Sequence, residues 1–507
     1  MNYSMFFAMA MATASKASSS EQCAADGNLR DRLEPFIERL QRLFEEFAKQ
    51  PVTPKALFEM ERHVQDEVRE FGRSGMEWIL NRVEPNQCDT LPAHVNFEAG
   101  PYTRLNKKTP QTVATLFGKI RLFRVGYRPT NKTGDPTIFP LAQQLGIVHG
   151  ATPALAELAG RLQAETGATQ QQTLRRLKQE HGVNWGVKKL REVTAYLSAA
   201  MTEHRHEVQV EKIWELLAQA DKSKGRHRPV LSVGRDGITL GVRLTKFNIF
   251  EVASTGTISV LDRRGRRLGT IYLAYTPESY QGTMSAQLTR LLEDVLRRWE
   301  GSDPRLCYVT DAGDNETSYY KNVLRRMRHP RTGERLNWVR VIDYYHASER
   351  IWTMADALFG KGPVSKSWAR RMLKLLLKPR GIRRVLASAA AVHAREHLSK
   401  TKENEFRKAY NYLRTRTKNM HYAAYRRVGV PLGSGVTEAG CKTIYTQRLK
   451  LSGMRWKTAG AQAILNLRVL LLSRVWTQAY ERVLQSFEYV KVPPYAIPTR
   501  QAAKKAA

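Results

Sequence analysis

The order of strands and helices after Arg226 constrains the fold of this chain more than any other feature. From there the hydrophobic pattern changes from helical spacing to short apolar runs bounded by turn residues, which is typical of strands. We predict strands at 229–233, 247–261, 268–274, 306–310 and 338–342. Apolar side chains three and four residues apart predict helices at 280–299, 316–327 and 345–358. The sequence therefore predicts the order β-β-β-α-β-α-β-α.

This order resembles that of a ribonuclease-H-like core, an α/β fold whose first and fourth strands are parallel neighbours. Such strands present the residues at their ends side by side. Asp236 follows the first apolar run, and Asp311 follows the fourth. A charged side chain in this position is costly unless it points into an opening or is paired. We therefore predict that these two carboxylates lie together at one edge of a mixed sheet.

A third carboxylate comes from the stretch 431–456. Gly433 and Gly435 predict a turn, and Thr437 has the side chain of a helix N-cap. Glu438 would then open the first turn of the helix, where the dipole favours a negative charge. We predict that Glu438 converges with the two aspartates over the sheet.

Two further side chains are predicted to face the same way as Glu438. At about 100° per residue, Lys442 and Tyr445 fall on its side of an α-helix. The structural alternative is a capped surface helix with an ion pair between Glu438 and Lys442.

Three carboxylates in one place repel one another unless divalent cations neutralise them. Asp236, Asp311 and Glu438 would form an all-oxygen site, which suits Mg²⁺ or Mn²⁺. Two such ions ~3.5–4 Å apart can clamp an in-line phosphoryl transfer. The three acids are therefore our predicted metal ligands and catalytic residues.

Both aspartates have structural alternatives. Asp236-Gly237 is a hairpin signal between the apolar runs 231–233 and 238–242. Asp311 could cap the helix that follows it, and Asp314 competes with it for the metal role.

The charge of the chain indicates a polyanionic partner. The sequence has 82 Lys and Arg against 47 Asp and Glu, a net charge of +35 and a pI near 10.2. Nucleic acid is the first class of partner that fits, and an acidic membrane surface is the second. No uninterrupted apolar run reaches the ~18 residues that a membrane span needs.

Cysteine usage indicates a reducing compartment. Cys23, Cys88, Cys307 and Cys441 are scattered and form no C-x-x-C pair, so we expect neither a zinc knuckle nor a disulfide framework. The apolar start of the chain has no basic stretch before it, so we do not expect a signal peptide. These observations predict a cytoplasmic protein, associated with the nucleoid if its partner is DNA.

The first half of the chain divides into four segments. Residues 1–27 are predicted to be disordered, and 28–88 to form a helical pair or an oligomerisation element. Residues 89–150 predict a β-rich module or linker. Residues 151–222 predict three short helices, which are compatible with a DNA-binding helix-turn-helix module.

Local signals place the element ends in this half. Pro35 is expected to mark the start of the first helix. Thr53 and Pro54 predict a cap and a first helical residue for the second helix. Gly118 is expected at a turn between strands, and Asn184 is expected to cap the third helix of 151–222.

The second half carries the predicted core and its interruption. We expect the first part of the core at 226–358, an all-helical insertion at 359–430, the second part at 431–487 and a flexible tail at 488–507. From 361 to 430 there are 19 Lys and Arg against three Glu and no Asp, a net charge of +16. Such one-sided charge favours contact with phosphates, and its predicted DNA-binding residues are Arg370, Arg371 and Lys374.

Four stretches together resemble the DDE transposases of bacterial insertion sequences, in the Mutator-like group with a helical insertion in the core. They are Asp236-Gly237, Val309-Thr310-Asp311, the run from Ile342 to Glu349 with Asp343-x-x-His346, and the run from Gly433 to Trp456. The resemblance covers about residues 110–475. One departure is Asp311-Ala312-Gly313, where relatives often carry Asp-Gly.

The resemblance implies a function and a set of roles. Asp236, Asp311 and Glu438 match the catalytic triad, and Asp343 and His346 match an accessory pair beside it. His346 has a structural alternative as a hydrogen-bonding residue. We further assign DNA contacts to Lys442, Arg448, Arg455 and Trp456.

The implied enzyme is a magnesium-dependent DNA transposase. It would bind double-stranded DNA, as element terminal inverted repeats and as target, and act as a homo-oligomer on DNA. Two alternatives stay open. One is a ribonuclease-H-like nuclease or resolvase that joins no strands, and the other is a non-catalytic DNA-binding derivative.

Overall fold

The computed structural model describes residues 29–97, 100–130, 134–243 and 248–487. The segments expected to be disordered or flexible, 1–27 and 488–507, lie outside these ranges. The described chain forms two compact units. The first contains the residues up to Thr152 together with 178–183, and the second contains 153–177 and 184–487.

The first unit begins with a helical hairpin. Helices α1 (Leu29–Lys49) and α2 (Pro54–Leu80) pack through the rings of Phe36 and Phe71, whose centroids are 4.8 Å apart. Thr53 caps α2 and Pro54 occupies its first turn, as predicted. Pro35 lies inside α1 instead of starting it. A proline removes only one helical hydrogen bond, and the contacts between the two helices outweigh that loss.

Short strands complete this unit. Strands β1 (His94–Phe97), β2 (Gly100–Arg104) and β5 (Tyr127–Pro129) form a three-stranded antiparallel sheet. Between β2 and β5, strands β3 (Thr109–Thr115) and β4 (Gly118–Arg124) pair as a hairpin, followed after β5 by α3 (Pro140–Gln144). Gly118 has a φ of +120° at the predicted turn, a value that favours glycine.

The second unit is a mixed α/β structure built on a five-stranded sheet in the order β10-β9-β6-β7-β8. Its strands are β6 (Val230–Arg243), β7 (Asn248–Leu261), β8 (Arg267–Tyr275), β9 (Arg305–Thr310) and β10 (Val339–Ile342). Helices α7 (Gly282–Arg298), α8 (Asp314–Asn322) and α9 (Tyr344–Phe359) follow β8, β9 and β10. The predicted element order is therefore confirmed, and β6 and β9 are parallel neighbours.

The first strand of this sheet runs past the predicted hairpin. β6 pairs with β7 without interruption from Val230 to Arg243, and Asp236 and Gly237 lie opposite Thr255 and Ser254. The alternative interpretation of Asp236-Gly237 as a hairpin turn is therefore wrong. Pairing along the full length of both strands overrides a local turn preference.

One long helix packs on the sheet. Helices α4 (Pro153–Ala164) and α5 (Gln170–His181) are short, but α6 (Val187–Lys222) has 36 residues, and its N-cap is Gly186 rather than Asn184. Side chains of α6, such as Met201 and Ile213, share one hydrophobic core with the sheet. The third predicted helix is thus part of the core and not a short element of a free-standing helix-turn-helix module.

The segment after α9 is a set of packed helices. They are α10 (Pro363–Leu376), α11 (Gly381–His393), α12 (Lys400–Arg416) and α13 (Tyr422–Arg427). A second hydrophobic core joins them to α9 and β10 through residues that include Trp368, Val385, Phe406 and Met420. The chain returns to the sheet through α14 (Gly435–Cys441) and ends its described part with α15 (Thr458–Leu472) and α16 (Trp476–Gln485).

Within the ranges that the structure describes, no helix is both long and apolar enough to cross a membrane.

Candidate active site

Strand register places three aspartates at one level of the sheet. The parallel pairing of β6 with β9 includes Val233 opposite Tyr308, and the pairing of β9 with β10 includes Thr310 opposite Ile342. Asp236 and Asp311 each lie three residues beyond the first pair, and Asp343 lies one residue beyond the second. Three aspartates on adjacent strands therefore lie at the same level of the sheet, where β9 and β10 end.

Asp236 is half-buried, and the charges of the other two acids affect its carboxyl group. Its Oδ1 accepts a hydrogen bond from the Gly237 amide at 2.8 Å. Burial raises the pKa of the Asp236 carboxyl, and the negative charges of Asp311 and Glu438 raise it further. The three carboxylates predicted as a triad thus lie close enough to affect one another.

Asp311 lies in a turn held by its own side chain. Its Oδ1 accepts a hydrogen bond from the Gly313 amide at 3.0 Å. Ala312 between them has a φ of +68°, a left-handed conformation that costs an L-residue about 1–2 kcal/mol. The residue that departs from the common Asp-Gly pattern therefore adopts the backbone that glycine would favour. Asp314 is exposed at the start of α8.

The helix that carries Glu438 starts earlier than predicted. α14 begins at Gly435 after Ser434, so Thr437 is not its N-cap. Thr437 is buried within the helix instead, and its Oγ1 lies 2.7 Å from that of Thr257 in β7. This contact holds the helix against the sheet, because a buried hydroxyl needs a partner.

Glu438 points to solvent at the edge of this helix, with 47% of its side chain exposed. Its Oε1 accepts a hydrogen bond from Ser434 Oγ at 2.6 Å and lies 3.4 Å from His346 Nε2. The carboxylate is thus held by two side chains while it stays accessible.

The predicted face shared by Glu438, Lys442 and Tyr445 is only partly found. Residues Lys442–Thr446 form a π-helical turn, which ends the 3.6-residue period on which the prediction depended. Tyr445 is fully buried and donates its hydroxyl to the Ser254 carbonyl at 2.6 Å. Lys442 stays exposed. Tyr445 is therefore part of the core and not of the site.

Asp343, one of the predicted accessory pair, joins the start of α9 to the turn before α14. It is fully buried and caps α9, since its Oδ1 accepts hydrogen bonds from the amides of Tyr345 at 2.5 Å and His346 at 3.0 Å. Its Oδ2 accepts from the Ser434 amide and lies 2.7 Å from Ser434 Oγ, whose single hydroxyl hydrogen is shared between Asp343 and Glu438. Asp343 therefore fixes the turn from which Glu438 projects.

His346 lies between carboxylates. Its Nδ1 is 3.2 Å from Glu349 Oε2, and its Nε2 faces Glu438. Burial opposes the charged imidazolium, but the charges of Asp343, Glu349 and Glu438 outweigh it, so the pKa of His346 is raised. A protonated His346 would pair with Glu438 and hold it in place.

Close packing in the turn before α14 requires a glycine at one of two positions. A β-carbon on Gly433 would lie 2.9 Å from the Tyr345 ring and 3.5 Å from Asp343 Oδ2. Nothing lies within 4 Å of a β-carbon placed on Gly435. Close packing thus explains the glycine at 433 but not the one at 435.

Two residues that sequence reasoning missed lie beside the aspartates. Cys441 is buried, donates its thiol to Thr255 Oγ1 at 3.2 Å, and interacts with the Asp236 carboxyl. Glu316 in α8 is 7% exposed, and burial, followed by the charges of Asp311 and Asp236, raises its pKa. The three-residue spacing from Glu438 could have indicated Cys441, whereas no sequence signal indicates Glu316.

The helical segment also reaches this edge. Tyr412 of α12 donates its hydroxyl to the Asp311 carbonyl at 2.6 Å. The guanidinium groups of Arg416 and Arg350 lie 4.2 Å and 5.0 Å from the Tyr412 ring centroid. Two cations therefore flank the carboxylate edge, which no local sequence pattern predicts because about a hundred residues separate Tyr412 from Asp311.

The predicted DNA-binding residues fall into two groups. Most are exposed: Arg370, Arg371, Lys374, Lys442 and Arg455. Arg448 is fully buried, and its Nε donates to the Gln163 carbonyl at 2.7 Å. That carbonyl lies in the last turn of α4, where backbone oxygens lack helical partners. The proposed contact between Arg448 and DNA is therefore wrong.

Trp456 is half-buried and tied to the protein on two sides. Its Nε1 donates to the Leu449 carbonyl at 2.9 Å, and its own carbonyl accepts from the Arg243 amide at 2.7 Å. Its ring centroid lies 5.3 Å from the Arg448 guanidinium. These contacts give Trp456 a structural role in anchoring the loop before α15 to β6.

The acids fit a hard divalent cation by donor chemistry, since all three offer oxygen. Burial raises the pKa of Asp236 most, and the charges of Asp311 and Glu438 add to it, so a cation beside these carboxylates would favour the ionised form. Even so, among the described residues no group of three or more His, Cys, Asp or Glu side chains is gathered as a ligand set. The Glu438 carboxylate, bound to Ser434 and facing His346, would have to turn toward the aspartates.

No family model matches this chain, and no curated protein matches it. Its function therefore has to be inferred from the site itself.

Proposed function

We propose that this chain is a DDE-type DNA transposase with a ribonuclease-H-like core. One observation carries the proposal. Asp236 and Asp311 lie at the same level of two parallel neighbouring strands, and the helix of Glu438 is anchored to the same sheet by Thr437. Three acids at one edge of a mixed sheet suit phosphoryl transfer to or from DNA.

Each carboxylate would have a defined part in the reaction. The amides of Gly237 and Gly313 fix one oxygen of Asp236 and one of Asp311 by hydrogen bonds. Glu438 would complete the set after a change of side-chain rotamer. Mg²⁺ or Mn²⁺ bound by the three acids would supply the electrophilic stabilisation of the transferring phosphoryl group. Water would be the nucleophile in cleavage, and a DNA 3′ hydroxyl in strand transfer.

The charge of the chain supports DNA as the substrate. The net charge of +35 favours a polyanion, and the segment 361–430 carries +16 of it on packed helices. Arg416 and Arg350 place positive charge next to the loop of Asp311. We propose that the chain binds element ends and target DNA as a homo-oligomer and works in the cytoplasm on the nucleoid.

A cleavage and joining assay tests this function. The substrate is a duplex with the inverted repeat found next to the coding sequence, mixed with a supercoiled target plasmid. With Mg²⁺ or Mn²⁺, we expect nicks at the repeat end and joined products, and both should vanish in chelator.

Three results would contradict parts of the proposal. Cleavage without joining would favour the nuclease or resolvase alternative. Binding with neither product would favour the non-catalytic derivative. Activity that persists after exhaustive chelation would exclude the metal-dependent mechanism.

A further inference from the structure

The helical segment carries a second concave site, formed by residues outside the candidate active site. A cavity of about 440 Å³ is lined by Arg380, Ile382, Arg383, Thr417, Lys418 and His421. This volume falls within the range of about 300–1,000 Å³ that small-ligand sites have. We refer to it as the basic pocket.

The lining of the basic pocket is strongly cationic. Arg380, Arg383, Lys418 and His421 are exposed around it, while Ile382 is 2% exposed and belongs to the hydrophobic core beneath. In the part of the chain that the structure describes, none of these four side chains makes an ion pair. The positive charges of Arg380, Arg383 and Lys418 are thus not neutralised by an ion pair within the described residues.

Few carboxylates in the helical segment 361–430 are present to neutralise the cations of the basic pocket. Residues 361–430 contain only three acidic side chains. One of them, Glu403, is engaged by His393 at 2.7 Å and by Arg407. Like charges that face one cavity repel each other, so an anion in the cavity would stabilise the arrangement.

The backbone adds to the positive potential. The 13-residue helix α11 begins at Gly381 beside the pocket, and no side chain caps it. Uncapped amides and the helix dipole favour an anion at this end. Arg380, the N-cap, has a φ of +56°, a conformation that is unfavourable for an arginine. The chain therefore accepts local strain at the rim of the pocket.

We propose that the basic pocket binds a phosphate group. Two guanidinium groups can each bind phosphate oxygens with paired hydrogen bonds, and Thr417 adds a hydroxyl donor. Phosphate is available from the backbone of bound DNA or from a free nucleotide. The DNA backbone is the favoured source, and this choice rests on the proposed function of the chain.

Duplex binding by full-length protein in chelator separates the pocket from general surface charge. The test variant is R383Q/K418Q, which removes two cations from the pocket rim. The matched control is K400Q/K402Q, which removes two exposed cations of the same segment that do not line the pocket. Affinity for a short random-sequence duplex is measured at several salt concentrations, and thermal melting checks that both variants stay folded.

We expect R383Q/K418Q to weaken duplex binding about tenfold and to shallow the slope of log affinity against log salt by about one. K400Q/K402Q should change affinity less than about threefold. Equal effects of the two double variants would overturn the proposal, because the pocket would then be an ordinary part of a diffuse charged surface.

A second arm identifies the source of the phosphate. Thymidine monophosphate is added to the wild-type protein and to R383Q/K418Q, and the melting temperature is measured. If it stabilises only the wild type while duplex binding is the same in both, the pocket binds phosphate from a free nucleotide. If neither the duplex nor thymidine monophosphate distinguishes the two proteins, the proposal is overturned. Because chelator prevents cleavage, a failure of catalysis elsewhere leaves this result unaffected.

Discussion

Asp343 accepts three hydrogen bonds from backbone amides that lie far apart in the sequence. Two come from the first turn of α9 and one from Ser434, whose hydroxyl lies within hydrogen-bond distance of both Asp343 and Glu438. A buried carboxylate satisfied in this way is costly to remove, since its donors would be left without partners. Asp343 therefore acts through Ser434, as a positioning residue for Glu438.

His346 gives a pH dependence whose sign follows from its surroundings. The pKa of His346 in the folded protein is raised above its ordinary value of 6.5. Its contribution to stability is therefore complete below about pH 6.5 and is lost as pH rises through the raised pKa. We expect H346N to lose more unfolding free energy, relative to the wild type, at about pH 5.5 than at about pH 8.5.

Denaturant unfolding of the metal-free protein measures this difference. The control is H397N, since His397 is exposed in the same unit. A destabilisation by H346N that is equal at both pH values would mean that His346 acts through packing rather than through charge.

At the scale of elements, α14 shows how a few contacts determine the place of a predicted catalytic residue. The helix has only seven residues, too short to be stable by itself. Thr437 fixes it to Thr257, and Ser434 fixes its start to Asp343. The position of α14 is therefore set by tertiary contacts, and the placement of the Glu438 carboxylate depends on them.

Substitution of Gly234 by alanine tests this dependence. A β-carbon there would lie 2.0 Å from Thr437 Oγ1 and 2.9 Å from Thr257 Oγ1. We expect Gly234→Ala to lower the free energy of unfolding by about 1–3 kcal/mol, because overpacking forces the helix away from the sheet. Nicking should fall about a hundredfold, since a small misplacement of a catalytic group has that effect.

The matched control is Gly435→Ala. It adds a methyl group to the same helix where nothing lies within 4 Å. Its stability should be unchanged or about 0.5–1 kcal/mol higher. If Gly234→Ala behaves like this control in both unfolding and nicking, the docking of α14 does not position Glu438.

The order of strands and helices was predictable because each core element carries its own hydrophobic period. The element order follows from that pattern, the parallel pairing of β6 with β9 was expected from the resemblance to a ribonuclease-H-like core, and both are found. The errors share one cause: tertiary partners overrode the local signals for a turn at Asp236-Gly237 and a cap at Thr437, and they bury Arg448, to which a DNA contact was assigned. Sequence cannot supply those partners, because β7 and α4 lie elsewhere in the chain.

The candidate site was predictable only in part. Asp236 and Asp311 were predicted from the apolar runs before them, Glu438 from the turn and cap signals at 433–437, and all three from the resemblance. The charges of Asp311 and Glu438 contribute to the raised pKa of Asp236. Glu316 and Tyr412 were not predictable, because burial and a hydrogen bond across the fold bring them to the site. Long-range packing is the information that a single sequence lacks.

For the whole molecule, the uneven distribution of charge is the feature most relevant to function. A chain with a net charge of +35 attracts nucleic acid of any sequence. Residues 361–430 carry +16 of that charge, a higher density than the chain as a whole. Contacts to phosphates position DNA without reading its sequence. The exposed cations of α10 should therefore strengthen binding to all duplexes alike.

Salt titration of a triple variant tests this contribution. Arg370, Arg371 and Lys374 are exposed on α10. Replacing all three with glutamine should shallow the slope of log affinity against log salt by up to ~2–3, on specific and random duplexes alike. The control replaces Lys400, Lys402 and Lys408, which are exposed on α12. An unchanged slope in the first variant would mean that its cations face only solvent.

The three carboxylates are central to the proposed reaction, and the most direct measurement of their role is nicking by single variants with DNA binding measured in parallel. Asp236→Ala, Asp311→Ala and Glu438→Ala should each lower nicking of an element-end duplex by at least about a thousandfold, because each removes an oxygen ligand of the reacting centre. Gel-shift affinity should change less than about threefold. Asp314→Ala is the control, since Asp314 is exposed at the start of α8, and it should cut normally. Normal nicking by any of the first three variants would contradict its place in the site, and loss of nicking in Asp314→Ala with normal nicking in Asp311→Ala would show that the site was assigned to the wrong aspartate.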